Sequence, residues 1–298
     1  MVQGEIAAAP LFQVRARPGL MSRILRIAGR NPLGVLGLVL VLALIFTAVF
    51  ADQLAPYSPL AVNAEAQLVP PGPGHLLGAD MFGRDVLSRV IHGARVSLSV
   101  GLGAVGLGMT LGTVFGLMSG YWGGTRLDTL IQRIMDAVMS MPSLILAIAL
   151  LAALGNNIVN VIIAIGIVQV PRSSRVVRGA ALSVREEVFI ESAKSVGARD
   201  FRILLRHILP NVVAPITVLA SVDLGQAILV EGSLSFLGYG TPPPFPSWGG
   251  MMGVEGRNFV EVAPWIAIFP GVALSLAVLG LNLAGDSLRD ILDPRLRQ

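Results

Sequence analysis

EEVFIESAKSVGARDFRILLRHILP, residues Glu186 to Pro210, is the stretch on which the reading of this chain turns. It is too charged to cross a membrane, yet it lies between two long apolar blocks. Acidic residues come early (Glu186, Glu187 and Glu191), where a helix dipole favours them, and Gly197 is a natural helix stop. A second short helical stretch follows with Arg199, Arg202 and Arg206, and Pro210 punctuates the start of the next apolar block. The pattern predicts a helix, a glycine bend and a second helix on one side of a membrane. Val188, Ile190, Ala193 and Val196 give the first helix a partial apolar face. A partner's groove and a membrane surface both suit such a face, and periodicity leaves both open.

Outward from this stretch, the chain of 298 residues is 54% hydrophobic and only 13% charged. Soluble domains carry about 25% charged residues. The apolar excess falls in blocks long enough for a helix to cross a bilayer core of about 30 Å. Spans are expected at 33–50, 96–120, 134–154, 158–177, 211–232 and 264–284, making an all-α, polytopic protein with six transmembrane helices. The alternating segments of a membrane β-barrel are not seen. The expected divisions are a polar segment 1–30, a first helix with its following polar segment 31–95, and a core 96–298 that includes 186–210. Small Val49 and Ala51 raise the possibility of a cleaved leader, but the block before them is longer than such leaders carry, so it reads as a first span.

Six spans put both termini on one side, and basic residues say which. Eighteen of the twenty-two Lys and Arg residues fall on the side of the termini and of 186–210. Arg84, Arg89, Arg95 and Arg257 fall on the other. Positive residues prefer the cytoplasm, so both termini are expected there. Basic residues gathered at membrane boundaries reflect topology, and no nucleic-acid partner is expected.

Gly108, Gly112, Gly116 and Gly120, with Ala104 one step earlier, recur every four residues and share one helical face. Such a face lets another helix backbone approach closely, either within the chain or from a partner. Pro142 and Pro171 lie inside expected spans and each can kink its helix.

Chemistry-bearing motifs are scarce. There is no cysteine, and His75, His92 and His207 are widely spaced, so no metal or other cofactor site is expected. A phosphate-cradling loop ends in Gly-Lys-Ser/Thr, but the single lysine, Lys194, follows Ala193. No catalytic constellation appears, and if ATP drives this protein it is hydrolysed by another chain. Asp286, Asp290 and Asp293 near the end of the chain read as a solvated helix end with local ion pairs. Asp223 and Glu231 lie within an apolar block, about 80° apart around a helix. They read either as lining a polar translocation pathway or, for Glu231, as a hydrated group near the outer surface.

The 186–210 stretch resembles the cytosolic coupling motif of bacterial ABC importer permeases: Glu-Ala-Ala, three residues, Gly, nine residues, Ile, any residue, Leu, Pro. Glu191, Ala193, Gly197, Leu209 and Pro210 match in register, with Ser192 and His207 as departures. HLLGADMFGRDVLSRVIHGAR (75–95), SLSFLGYGTPPPFPSWGG (233–250) and NLAGDSLRDILDPR (282–295) are similar to stretches of one branch, the C-type permeases of dipeptide, oligopeptide and nickel importers. The likeness runs from Asn31 to the end.

The resemblance implies a type I ABC importer permease fold in the bacterial inner membrane. It implies two ATPase subunits that receive a coupling helix, a homologous second permease that completes the pore, and an extracytoplasmic binding protein that delivers substrate. The coupling role falls on Glu191, Ala193 and Gly197. Small peptides are the expected cargo, with nickel chelates, opines, oligosaccharides or glutathione as alternatives. A stand-alone secondary transporter would need its own ion sites, and only Asp223 and Glu231 are candidates.

Overall fold

Asn31 starts the first helix: its side-chain oxygen accepts from the Gly34 amide at 3.2 Å, and Pro32 supplies a preset first turn to α1 (Pro32–Val49). The structure is a computed structural model and describes residues 31–292. The expected polar segment 1–30, Asp293, Arg295 and Arg297 lie outside the described residues.

Helix α2 (Val86–Tyr121) begins ten residues before the expected span. Asp85 caps it, accepting from the Ser88 amide at 2.8 Å and the Ser88 hydroxyl at 2.7 Å. At 36 residues it is roughly 54 Å long, so it projects beyond a bilayer core. The single span expected over 134–154 is instead two helices, α3 (Arg126–Met139) and α4 (Ser143–Leu154), meeting at 90°. Pro142 disfavours helical backbone at Met141 and supplies no amide of its own, so the chain turns there. Helix α5 (Ile158–Arg185) passes through Pro171 unbroken, followed by the short α6 (Val188–Ser195). From Asp200 the chain is helical to Phe236: a turn at Asp200–Ile203, a π-helical turn at Leu204–Ile208, then α7 (Leu209–Phe236). Pro210 therefore does not separate a short helix from a span. The wider turn just before it absorbs the backbone bond that proline cannot make. Helix α8 (Trp265–Leu292) closes the described chain.

No strand forms among the described residues. Among the described residues, four helical segments are long and apolar enough to cross a membrane, Pro32–Val49, Val86–Tyr121, Asp200–Phe236 and Trp265–Ile291, or five if the bent α3–α4 pair is one span. Helix α5 is as long as α8 but carries Arg172, Arg175 and Arg178 in its second half.

The glycine face of α2 packs against α5 of the same chain. A Cβ on Gly108 would meet the Gly166 carbonyl at 2.9 Å, one on Gly116 the Ser174 carbonyl at 2.7 Å, and one on Gly120 the Ala181 side chain at 2.6 Å. The closing signature 282–292 packs on α1, where a Cβ on Gly37 would sit 2.6 Å from the Ala284 amide. On the opposite side of α1, Leu33, Val39, Leu42 and Phe46 are exposed. Buried Val100, Ala104, Ala147, Ile165, Leu219 and Ala227 join α2, α4, α5 and α7 into a central core.

At the far end of α2, Asp128 locks α3 to its neighbours. Its carboxylate accepts from Arg178 Nε and Nη2 at 2.8 and 2.7 Å and from the Gly124 amide at 2.9 Å, with the Ser119 hydroxyl as a further donor. Asp128→Asn loses one arm of this bidentate pair. We expect it to cost about 2 kcal/mol, read as a lowered melting temperature in detergent. An unchanged melting temperature would mean that α3 is held by apolar packing alone. At the near end, Asp52 pairs with Arg95 at 3.1 Å and faces His92. Hydrogen bonds from Arg95, then His92, hold the Asp52 carboxyl below its usual range, so this tie persists above that range and is lost on acidification.

Candidate functional site

The 186–210 stretch forms a knuckle against the far end of α2. Helix α6 ends in a full Schellman turn: Ala198 N donates to Ala193 O at 3.0 Å, and Gly197 N to Lys194 O at 2.9 Å. Gly197 takes φ +78°, the left-handed conformation that glycine adopts without cost from a Cβ, and the space where a Cβ would stand is open.

Of the four apolar residues expected on one face, Ile190 and Ala193 turn inward. They are buried with Leu117 and Tyr121 of α2, Val177 and Ala181 of α5, and Ile203, Leu204, Ile208 and Val212 beyond the bend. Val188 (75% exposed) and Val196 (84%) point away from the bundle, as does Phe201 (72%). An exposed Glu191 makes no ion pair among the described residues and lines a polar recess with Tyr121, Arg185, Glu186, Glu187 and Lys194. Leu209 is half-buried against the same core, and Pro210 is exposed.

Two residues that no motif singled out fasten the knuckle. Tyr121 donates its hydroxyl to Asp200 at 2.6 Å, and Lys194 Nζ stands 5.6 Å from its ring centroid. Arg185 donates to the Tyr121 carbonyl at 3.1 Å. A tyrosine closing an apolar helix is a boundary signal, but its partner seventy-nine positions on is a tertiary fact.

Asp223 and Glu231 project from α7 into different surroundings. Asp223 is buried and pairs with Arg172 of α5 at 2.9 Å, while Gln169 donates to its backbone carbonyl at 3.3 Å. Its second carboxylate oxygen has no hydrogen-bond partner. Glu231 is fully buried, contrary to a hydrated surface position. It accepts from Ser235 at 2.7 Å, Ser97 at 3.3 Å and Thr241 at 3.4 Å. Three hydroxyls from α2, α7 and the loop beyond it thus converge on one carboxyl. His75 and His92 face separate carboxylates, Asp85 at 2.9 Å and Asp52 at 3.2 Å, and the described residues contain no cluster suited to a metal.

Residues 112–298 match the family described as binding-protein-dependent transport system inner membrane component, and residues 19–71 match the N-terminal TM domain of oligopeptide transport permease C. A putative peptide transport system permease of Brucella suis is 45% identical, over 88% of each chain. The dipeptide transport system permease of Alkalihalophilus pseudofirmus is 44% identical, over 90% of this chain and 88% of that one. The glutathione transport system permease of Pectobacterium atrosepticum is 43% identical, over 90% and 89%. An inward-facing MetNI methionine ABC transporter shares the fold, with TM-score 0.56 and 17% identity over 70% of this chain and 97% of that one. A family match spanning more than half of the chain, relatives aligned nearly end to end and a shared helical fold agree, and the chain belongs to the family of inner-membrane components of binding-protein-dependent transport systems.

Proposed function

We propose that the chain is the permease subunit of an ATP-driven importer, carrying small peptides across the inner membrane. An extracytoplasmic binding protein supplies the cargo, a homologous second permease completes the pathway, and two ATPase subunits drive it. The observation that carries this reading is the knuckle. Its inner side, Ile190 and Ala193, is packed into α2, α5 and the start of α7, while its outer side offers Val188, Val196 and Phe201. A push on such an element moves helices that run the length of the bundle, because packed interiors transmit displacement rather than absorb it. The chain lacks a phosphate-cradling loop of its own, so the push comes from elsewhere.

Peptide cargo follows from the relatives, named for peptide, dipeptide and glutathione transport. In this reading Glu191, Ala193 and Gly197 couple, with Leu209 and Pro210 joining the knuckle to α7. Asp223 with Arg172 borders the pathway, and Glu231 braces its outer closure. The span count is six, with the α3–α4 pair and the first part of α5 each crossing, and both termini are cytoplasmic. The bias of Lys and Arg toward the knuckle's side supports that orientation.

Tagged chain co-expressed with its cognate ATPase subunits should retain them through purification. Val188→Asp combined with Val196→Asp should lose them while the chain still inserts, as both side chains are exposed. A folded wild-type chain that never retains an ATPase would overturn the reading. Since the chain has no cysteine, Val196→Cys also reports orientation. An impermeant maleimide should label it in inverted vesicles and not in intact spheroplasts.

A further inference from the structure

A cavity of about 480 Å³ opens at the other end of the molecule, near the start of α2. It lies between the segment leading into α2 and the loop joining α7 to α8, and its walls include Phe82, Pro244, Phe245, Arg84, Arg89 and Glu255. Volumes of roughly 300–1,000 Å³ with apolar walls and a few placed polar groups are those of small-molecule sites.

The charged groups of its wall, Arg84, Arg89 and Glu255, form a buried cluster of four charges together with Asp80. Arg84 Nε donates to Asp80 at 2.6 Å, and Arg84 Nη2 to Glu255 at 2.6 Å. Arg89 Nη2 donates to both oxygens of Glu255, at 3.1 and 3.2 Å. The two acids differ in how they are held. Asp80 is fully buried and also accepts from the Phe82 and Arg84 amides at 2.8 and 3.0 Å, which builds it into its loop. Glu255 accepts from the two arginines and is the most exposed side chain of the four, at 15%. It ends the π-helical turn Met251–Glu255, a rare backbone form that occurs mostly as single turns within α-helices and is frequent at functional sites. Arg89 is 3% exposed; its Nε stands 3.4 Å from an Asp80 oxygen, an ion pair without a well-formed hydrogen bond, and its Nη1 has no hydrogen-bond partner. A guanidinium presents five donors, and buried donors left unmade are costly. The cluster therefore holds an arginine with spare hydrogen-bonding capacity beside a carboxylate that is held through the two arginines.

We propose that this cavity binds a small organic carboxylate with an apolar body, and that Glu255 occupies the carboxylate position when the site is empty. The ligand's carboxylate displaces Glu255 from Arg84 and Arg89, and its body lies against Phe82, Pro244 and Phe245. Planar bidentate pairing is what arginine offers a carboxylate and what an amide cannot match. Access from outside the cell rests on the orientation proposed above, whereas binding itself does not.

The test is calorimetric titration of the full chain in lipid nanodiscs with N-acetylphenylalanine and with its amide. The acid is expected to bind about tenfold more tightly than the amide. Glu255→Gln removes the internal competitor and leaves the cluster one charge more positive, so acid affinity should rise severalfold. Arg89→Gln should erase the acid's advantage. Phe245→Ala, at the mouth, should weaken acid and amide alike. Equal binding of acid and amide, or no binding at millimolar concentration, overturns the proposal. Should Arg89→Gln fail to fold, Glu255→Gln decides, since an unchanged or weakened acid affinity also overturns it. The assay uses neither ATP nor partner subunits, so its failure is distinguishable from failure to retain an ATPase.

Discussion

Gly112→Leu is expected to abolish accumulation of folded protein, whereas Gly106→Leu, six residues earlier on the same helix, is expected to leave it unchanged. A Cβ on Gly112 would already overlap the Ser173 side chain and stand 3.1 Å from the Ser174 backbone nitrogen. Leucine adds three further carbon atoms to that contact. Neither α2 nor α5 can yield locally, because Gly108, Gly116 and Gly120 meet the same neighbour at 3.0 Å or less. Overpacking by a methylene or two costs about 1–3 kcal/mol, and a whole leucine between two backbones exceeds that, against a total stability of about 5–15 kcal/mol. Gly106 faces outward, with nothing within 4 Å of where a Cβ would stand, and leucine is the better helix former there. The measurement is the monodisperse fraction after detergent extraction, compared across wild type, both leucine variants and Gly112→Ala as an intermediate step. Equal yields for the two leucine variants would show that the glycine face is not a tight interface within the chain.

That contrast also shows what a sequence can and cannot disclose. A four-residue glycine period announces a close helix contact, and the period was enough to place it on one face. Its partner was not legible, since Gly166, Ser173, Ser174, Val177 and Ala181 carry no complementary signature of their own. Prolines show the limit more sharply. Pro142, Pro171, Pro215 and Pro270 all lie in apolar stretches, yet only Pro142 stands at a 90° bend. Whether a proline ends a helix depends on what the neighbours offer the freed backbone, and that is tertiary information. The glycine stop at Gly197 was readable because a Schellman turn is local. The direction of α6 was not: Ile190 and Ala193 pack inward only because α2, α5 and the turn at 203–208 surround them. Likewise Glu231 stood out as an acid in an apolar block, but its three hydroxyl donors are spread from Ser97 to Thr241. In the carboxylate and arginine cluster around Arg89, Arg84 meets Glu255 from 171 positions away, beyond any spacing argument.

Gly197→Glu is expected to leave the chain folded and inserted while ATP-driven uptake falls by an order of magnitude or more. The two halves of that expectation come from separate facts. A Cβ at a left-handed position costs about 1–2 kcal/mol for most residues, and here the surrounding space is open, so there is strain without a clash. The Ala193 and Lys194 carbonyl bonds that close the turn remain available, and the core beneath α6 is untouched. Openness on this side, however, is the space a docking partner would fill. A glutamate there places a charge between exposed Val196 and Phe201, against whatever those side chains pack on. Two controls separate strain from obstruction. Gly197→Ala carries the same backbone strain with one added carbon, and Gly197→Asn suits the left-handed conformation but is bulkier. If obstruction governs, uptake should order as glycine, alanine, asparagine, glutamate, while thermal stability puts asparagine above alanine. An alanine variant as inactive as glutamate would assign the loss to strain in the turn. Normal uptake by Gly197→Glu, in membranes containing wild-type amounts of the chain, would move the docking surface away from this knuckle altogether.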